Sequence, residues 1–124
     1  MNTDTPVKPS VTPFFHAPTG TWTYVVADPA SRAAAVIDPV LDYDWRSGRT
    51  GTKSADTLVA HCAKERLEVA SILETHAHAD HLSAAPYLQS RLGGRIAIGR
   101  GILQVQATFK RIFGLGTNFT ADGS

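Results

Sequence analysis

Cysteine is nearly missing from this 124-residue sequence: Cys62 stands alone. No internal disulfide can form, and a lone thiol fits a reducing compartment. An excess of charge of one sign is missing too, since 12 Lys and Arg face 11 Asp and Glu for a formal net charge of +1. Lys110-Arg111 is a pair and not a patch, which argues against nucleic acid as the main partner, because phosphate binding needs clustered cations. Long apolar runs are lacking, with none near the ~20 residues that cross a bilayer. The opening Met1 to Pro6 has no basic start followed by an apolar stretch and so does not read as a secretory signal. The expected address is cytoplasmic, with no membrane partner. Repeats and low-complexity tracts are absent as well. What the chain does have is 43% hydrophobic residues, enough to bury a core in one domain.

The most informative stretch is Thr75-His76-Ala77-His78-Ala79-Asp80-His81-Leu82, which holds three of the 5 histidines. Neutral imidazole and carboxylate are ligands of zinc, iron and manganese, and a site needs several of them converging on one point about 2 Å away. If the strand predicted over Val69 to Thr75 runs on, His76 and His78 share a face. A bend into the following helix then carries Asp80 and His81 round, either to a second ion or to hydrogen bonds that orient the first ligands. His76, His78, Asp80 and His81 are the candidate metal ligands.

The rest of the chain reads as alternating elements. Residues 1–10, with Pro6 and Pro9, are expected to be a flexible arm, and residues 11–124 one domain. Val11 to His16 is a strand held to a sheet edge by Pro13, with His16 an ordinary polar residue at its end. Thr21 to Ala27 alternates as a strand, Asp28-Pro29-Ala30-Ser31 is a turn, and Ala33 to Ile37 returns as a hairpin. Pro39 pushes Asp38 toward extended geometry, with its carboxylate free to reach a cleft or nearby amides. Leu41 to Lys53 reads as a polar loop, in which Asp44 and Arg49 could hold each other or a substrate and Trp45 anchors the loop on the body. Ser54 is the expected N-cap of a helix with Ala55, Leu58, Val59, Cys62 and Leu67 on its apolar stripe and His61 on the solvated side. Cys62 reads as a buried small hydrophobe and not a reactive thiol. Leu82, Ala85, Leu88 and Leu92 mark a second helix with Pro86 near its start, stopped by Gly93-Gly94. Arg95 to Gly99 is a further strand, and strand, helix, strand implies an α/β layer. Ile102 to Phe113 is a third helix, expected to bury Val105, Phe109, Ile112 and Phe113, and Gly116 to Ser124 has no pattern.

The histidine segment resembles the signature of the metallo-β-lactamase superfamily. Val36-Ile37-Asp38-Pro39-Val40, Asp42-Tyr43-Asp44, Ser47-Gly48-Arg49-Thr50 and Gly93-Gly94-Arg95-Ile96-Ala97-Ile98-Gly99 are similar to the branch of persulfide (sulfur) dioxygenases and β-lactamase-hydrolase-like proteins. The resemblance, from about Val11 onward, implies an α/β (α+β layered) chain forming the N-terminal half of an αββα sandwich. It implies that Asp38 supports the site loops without touching metal, a turn-stabilising role being the alternative. In dinuclear zinc relatives His76, His78, Asp80 and His81 all bind metal, Asp80 being also the candidate catalytic group. In the mononuclear iron enzymes His76 would serve with a histidine and an aspartate from a second half.

No histidine follows His81, so the second ligand cluster of the family has no counterpart here. The implied function is therefore that of a metal-dependent segment, with iron(II) or zinc as cofactor. Its expected parent is a persulfide dioxygenase-like protein acting on glutathione persulfide in sulfide detoxification. One alternative is a glyoxalase II-like zinc thioester hydrolase, and another a non-catalytic half-domain completed by a partner. The chain alone is expected to be inactive, and to leave an apolar sheet face that a second copy or a complementing C-terminal half would cover.

Overall fold

The computed structural model describes residues 7–124. Three strands form an antiparallel meander: β1 (Ser10–His16), β2 (Thr21–Ala27) and β3 (Ala33–Ile37). Beyond β3 the sheet continues with β6 (Glu68–Glu74) and then β8 (Arg95–Ile98), both parallel to their neighbours. The order is β1-β2-β3-β6-β8, so Pro13 does lie on an edge strand. Parallel neighbours need crossovers. Helix α1 (Lys53–Lys64) lies between β3 and β6, and α2 (Ala85–Leu92) between β6 and β8. The arrangement is the mixed α/β layering expected. Part of the expected N-terminal arm, residues 1–6, lies outside the described residues, while Ser10 already pairs with Ala27.

The core lies on one face of this sheet. Val25, Val36 and Ile72 meet Ala55, Leu58 and Cys62 of α1, Ala84 at the cap of α2, and Ala85 and Leu88 within it, with Val36, Ile72 and Leu88 at 0% exposure. Each such aliphatic side chain contributes about 1.5–3 kcal/mol by leaving water. Burial pushes the Cys62 thiol up, in keeping with an inert core residue. Gly93 and Gly94 do end α2, with φ of +75° and +87°. Gly94 also lies against the β6 backbone, where a Cβ would meet the Val69 carbonyl oxygen at 2.9 Å.

Several expectations are corrected. The supposed loop after Pro39 is a hairpin of β4 (Val40–Asp44) and β5 (Arg49–Gly51), which with β7 (Leu82–Ser83) makes a second small sheet in the order β5-β4-β7. Its turn is built like the one after β2. Asp44 accepts from the Arg46 amide (3.0 Å) and the Ser47 hydroxyl (2.8 Å), as Asp28 accepts from the Ala30 amide (3.0 Å) and the Ser31 hydroxyl (2.8 Å). Gly48 and Arg32 supply the positive φ. Asp44 is thus bound into its turn and holds no Arg49 side chain. Trp45 does not anchor the hairpin: it is 72% exposed, with only the Arg46 guanidinium over its ring at 4.6 Å.

Ser54 is not the cap of α1. Thr52 occupies that position, its hydroxyl donating to Asp56 Oδ2 (2.9 Å) and not capping a backbone amide, and the end of the helix is served from outside, as described below. His61 is half-buried, because Phe14 of β1 lies against it edge-on at 5.3 Å between centroids. Leu82 belongs to β7 and is not on the α2 stripe.

Helix α3 (Ile102–Ile112) forms as predicted but buries none of its residues. Phe109, Ile112 and Phe113 remain open because no described element lies over them. The patternless tail folds back on this helix through Gln106, whose Oε1 accepts the Gly123 amide at 2.8 Å. Among the described residues no helix is long and apolar enough to cross a membrane.

Candidate metal centre

Strand β6 ends at Glu74, and Thr75 to His81 forms a loop before β7. The extended-strand route to a shared histidine face is therefore incorrect: the chain leaves the sheet after Glu74, before the first histidine. A fold-back of the loop does the gathering. The His76 and His78 ring centroids lie 4.2 Å apart, and those of His78 and His81 lie 4.3 Å apart.

The loop is held by Asp38. This residue is not extended, as Pro39 suggested, but has φ of +55°. Asp tolerates this left-handed region better than most residues. The conformation is secured by the Asp38 amide on the Leu73 carbonyl (2.8 Å) and by the Thr23 hydroxyl on the Asp38 carbonyl (2.8 Å). Its carboxylate is thereby placed to accept from the Thr75 amide (2.8 Å), the Thr75 hydroxyl (2.7 Å) and His78 Nε2 (2.9 Å). Burial opposes the charged form, but the Thr75 and His78 bonds outweigh it and hold the carboxyl below its usual range.

These bonds decide which imidazole nitrogens are free. The Thr75 hydroxyl spends its hydrogen on Asp38, so it accepts from His76 Nδ1 (2.7 Å) and leaves the His76 Nε2 lone pair open. His78 donates from Nε2 to Asp38, leaving Nδ1. His81 donates from Nδ1 to the Leu82 carbonyl (3.0 Å), leaving Nε2. Each ring has one nitrogen tied as a donor and one available, the state a metal-binding histidine needs.

Asp80 Oδ1 lies 3.9 Å from both His78 Nδ1 and His81 Nε2. Two sets of potential ligand atoms, Asp38/His76/His78 and His78/Asp80/His81, each fall within 4.8 Å of one another. Ligands ~2.1 Å from a zinc ion stand roughly 3.4 Å apart, so modest closure suffices. The nitrogen and oxygen donors suit zinc or iron(II). The structure brings all four predicted ligands and Asp38 together.

Three residues outside the predicted set belong to this neighbourhood. Glu74, at the end of β6, is buried beside His78, and burial pushes its carboxyl above the usual range. Its signal in the sequence was a charge closing an apolar run directly before the motif. His16 is not an ordinary strand-end residue. It is buried, with Nε2 3.0 Å from Asp42 Oδ1 and Nδ1 2.7 Å from the Thr19 hydroxyl. Asp42 also accepts from the Ser54 amide (2.7 Å) and hydroxyl (2.6 Å), putting an anion at the N-terminus of α1. Burial works against that charge, but the Ser54 and His16 bonds prevail and keep Asp42 below its usual range. No local signal pairs residues so far apart in sequence. A cleft of about 650 Å³ runs from His78, Asp80 and His81 to Leu41, Tyr43 and Trp45 of the β4–β5 hairpin.

A mixed sheet covered on one face by helices, with a histidine and aspartate loop following the interior strand β6, is an arrangement compatible with a metal-dependent hydrolase fold. Residues 16–117 match the family model of the metallo-beta-lactamase superfamily, and the chain belongs to that superfamily. It is 53% identical over 111 residues to a probable metallo-hydrolase of Burkholderia pseudomallei, covering 90% of this chain and 38% of that protein. It is 47% identical over 109 residues to a beta-lactamase hydrolase-like protein of Xylella fastidiosa, covering 88% of this chain and 25% of the other. Likeness to glyoxylase B2 of Dictyostelium discoideum is 46% over 101 residues, 81% of this chain and 35% of that one. Among solved structures, ETHE1 from Myxococcus xanthus superposes with a TM-score of 0.58 at 29% identity, over 70% of this chain and 34% of that chain. The chain thus spans between 25% and 38% of the length of these curated relatives.

Proposed function

We propose that this chain is the ligand-bearing segment of a metal-dependent enzyme acting on a small thiol-derived substrate, with oxidation of glutathione persulfide as the favoured activity. The observation that supports the reading is that one loop gathers three imidazoles, each with one nitrogen open, into two overlapping ligand sets that share His78, with Asp80 beside His78 and His81. His76, His78, Asp80 and His81 would hold iron(II) or zinc. The bound ion would supply Lewis acidity and, as iron, redox chemistry. Asp80, half-exposed at the cleft, is the group positioned to hold or pass a proton, while Tyr43 and Trp45 offer an apolar wall against which a sulfur-bearing substrate can lie. The resemblance of the Val36 to Thr50 stretch to the sulfur branch supports oxidation.

Thioester hydrolysis is the second reading. It is favoured by the likeness to glyoxylase B2 and by the placement of Asp80 and His81 as a second donor pair beside His78. In either case residues 11–124 are an incomplete domain. A complementing half would bring further ligands and cover the open sheet face, and a cytoplasmic setting suits the lone thiol. A non-catalytic metal-binding half-domain is the third reading.

The deciding experiment reads the gene through and beyond the Ser124 codon and purifies the whole product with its metal. Iron content with oxygen uptake on glutathione persulfide is the expected result. Zinc content with thiol release from a glutathione thioester, without oxygen uptake, would transfer the assignment to hydrolysis. Absence of both activities in a metal-loaded product would leave the half-domain reading.

A further inference from the structure

His78 is the ring shared by both potential ligand sets, and its orientation is decided by more than Asp38. Glu74 Oε2 lies 3.1 Å from the same His78 Nε2 that Asp38 engages at 2.9 Å. The Nε2 proton points to Asp38, and Glu74 Oε2, buried and off the N–H line, has no hydrogen-bond partner. The other Glu74 oxygen takes the Ser83 hydroxyl, and Ser83 Oγ in turn accepts the Ala85 amide at 3.0 Å, at the first turn of α2. The Glu74 side chain is 10% exposed. Glu74 is held in that position by its far oxygen, with its near oxygen left unbonded against the His78 imidazole.

We infer that Glu74 is a positioning residue for the metal centre. Together with Asp38 it puts two carboxyl groups on the Nε2 side of His78, where the ring proton is held, so that the Nδ1 lone pair faces Asp80 and the cleft. The two neutral tautomers of imidazole differ little in intrinsic energy, so neighbouring charge chooses between them. A proton on Nδ1 would remove the lone pair that a metal needs. Replacing the carboxylate by an amide does this in two ways: it deletes a negative charge about 3 Å from Nε2, and it places an N–H donor that can bond to an unprotonated Nε2. The effect reaches the metal through His78, and Glu74 itself touches neither ion nor substrate. The inference rests on the metal-centre reading for its purpose, but its structural content concerns the metal-free ring.

The test compares the 124-residue chain with Glu74→Gln and Ser83→Ala. In the metal-free proteins, histidine ring ¹⁵N shifts report the tautomer of His78, and titration with Zn(II) alone reports affinity. Wild type is expected in the Nε2–H form. E74Q should shift His78 toward Nδ1–H and weaken zinc binding by about tenfold or more, the size usual for loss of a group that orients a metal-bound histidine. S83A leaves the carboxylate facing His78 and should weaken zinc binding less than E74Q. Unchanged His78 nitrogen shifts in E74Q overturn the inference. If wild type takes up no zinc, the metal-centre reading fails separately, and the tautomer comparison still decides the role of Glu74. Should E74Q not fold, Glu74→Asp withdraws the charge by one methylene, and the same two readouts apply.

Discussion

The two faces of the five-stranded sheet are made by the same strands and end in opposite conditions. On β2, Val25 is 1% exposed under the helices, while its neighbours in sequence Trp22 and Tyr24 are 48% and 37% exposed on the other side. On β1, Phe14 packs toward α1 and Phe15 is 56% exposed, its ring tilted against Trp22 at 4.9 Å between centroids. Both faces are apolar, which is the pattern of strands meant to be covered on both sides. The covered face is a finished core, and among the described residues the open one leaves Phe15, Trp22 and Tyr24 to solvent. That asymmetry matches a chain spanning between 25% and 38% of its curated relatives.

The sharpest way to test the contrast is to truncate one residue on the covered face. Leu88→Ala removes a side chain with 0% exposure from the centre of the packing and should lower stability by about 2–5 kcal/mol. Urea unfolding measures it, and a loss below ~1 kcal/mol would mean that the covered face is loosely packed.

A smaller effect is expected where the helical cover is pinned at its edge. Asp42→Asn deletes the anion that serves the N-terminus of α1 and binds His16 and should cost about 1–2 kcal/mol at neutral pH. The folded pKa of Asp42 is held below that of the unfolded chain, so its contribution is complete above the ordinary value of 3.8 and is lost as pH falls through the folded value. Asp38 behaves in the same way. Wild type should therefore lose stability on acidification below about pH 4, and D42N should lose less over that window. Equal acid sensitivity in the two proteins would place the titrating groups elsewhere.

The smallest change is expected on the open face. Trp22→Ser with Tyr24→Ser should alter stability by only about 0.5 kcal/mol per site, yet should reduce binding of a hydrophobic dye and self-association in sedimentation. A large loss of stability there would mean that the two faces are not as different as their exposures indicate.

Much of the main sheet was legible because it is carried by local periodicity. The β2–β3 hairpin, the β6–α2–β8 unit and the buried place of Cys62 all follow from alternation, helical spacing and turn residues close together in sequence. The β4–β5 hairpin escaped because Asp42 to Thr50 buries no apolar face, its aromatics Tyr43 and Trp45 being exposed, and is specified by the Asp44 and Gly48 turn. Helix α3 was recognised by its spacing but misjudged in its burial, because an apolar stripe announces a need for cover without saying whether the cover is present. At the site, the four candidate ligands were proposed from residue type and spacing and Asp38 with the help of the resemblance, and the structure places them in two neighbouring groups that share His78. Glu74, His16 and Asp42 were not, because their partners arrive from other strands.

The sequence by itself determined the donor chemistry of this protein, its α/β layering and the apolar character of both sheet faces, since these are properties of residue type and short-range period. Only the tertiary structure decided which imidazole nitrogens are free, that Asp38 in a left-handed turn ties the histidine loop, and that Glu74 stands behind His78. Those outcomes depend on angstrom-scale approaches between segments up to about forty residues apart, such as Asp38 and His78. Such approaches are set by the packing of β3 against β6, which no local pattern encodes.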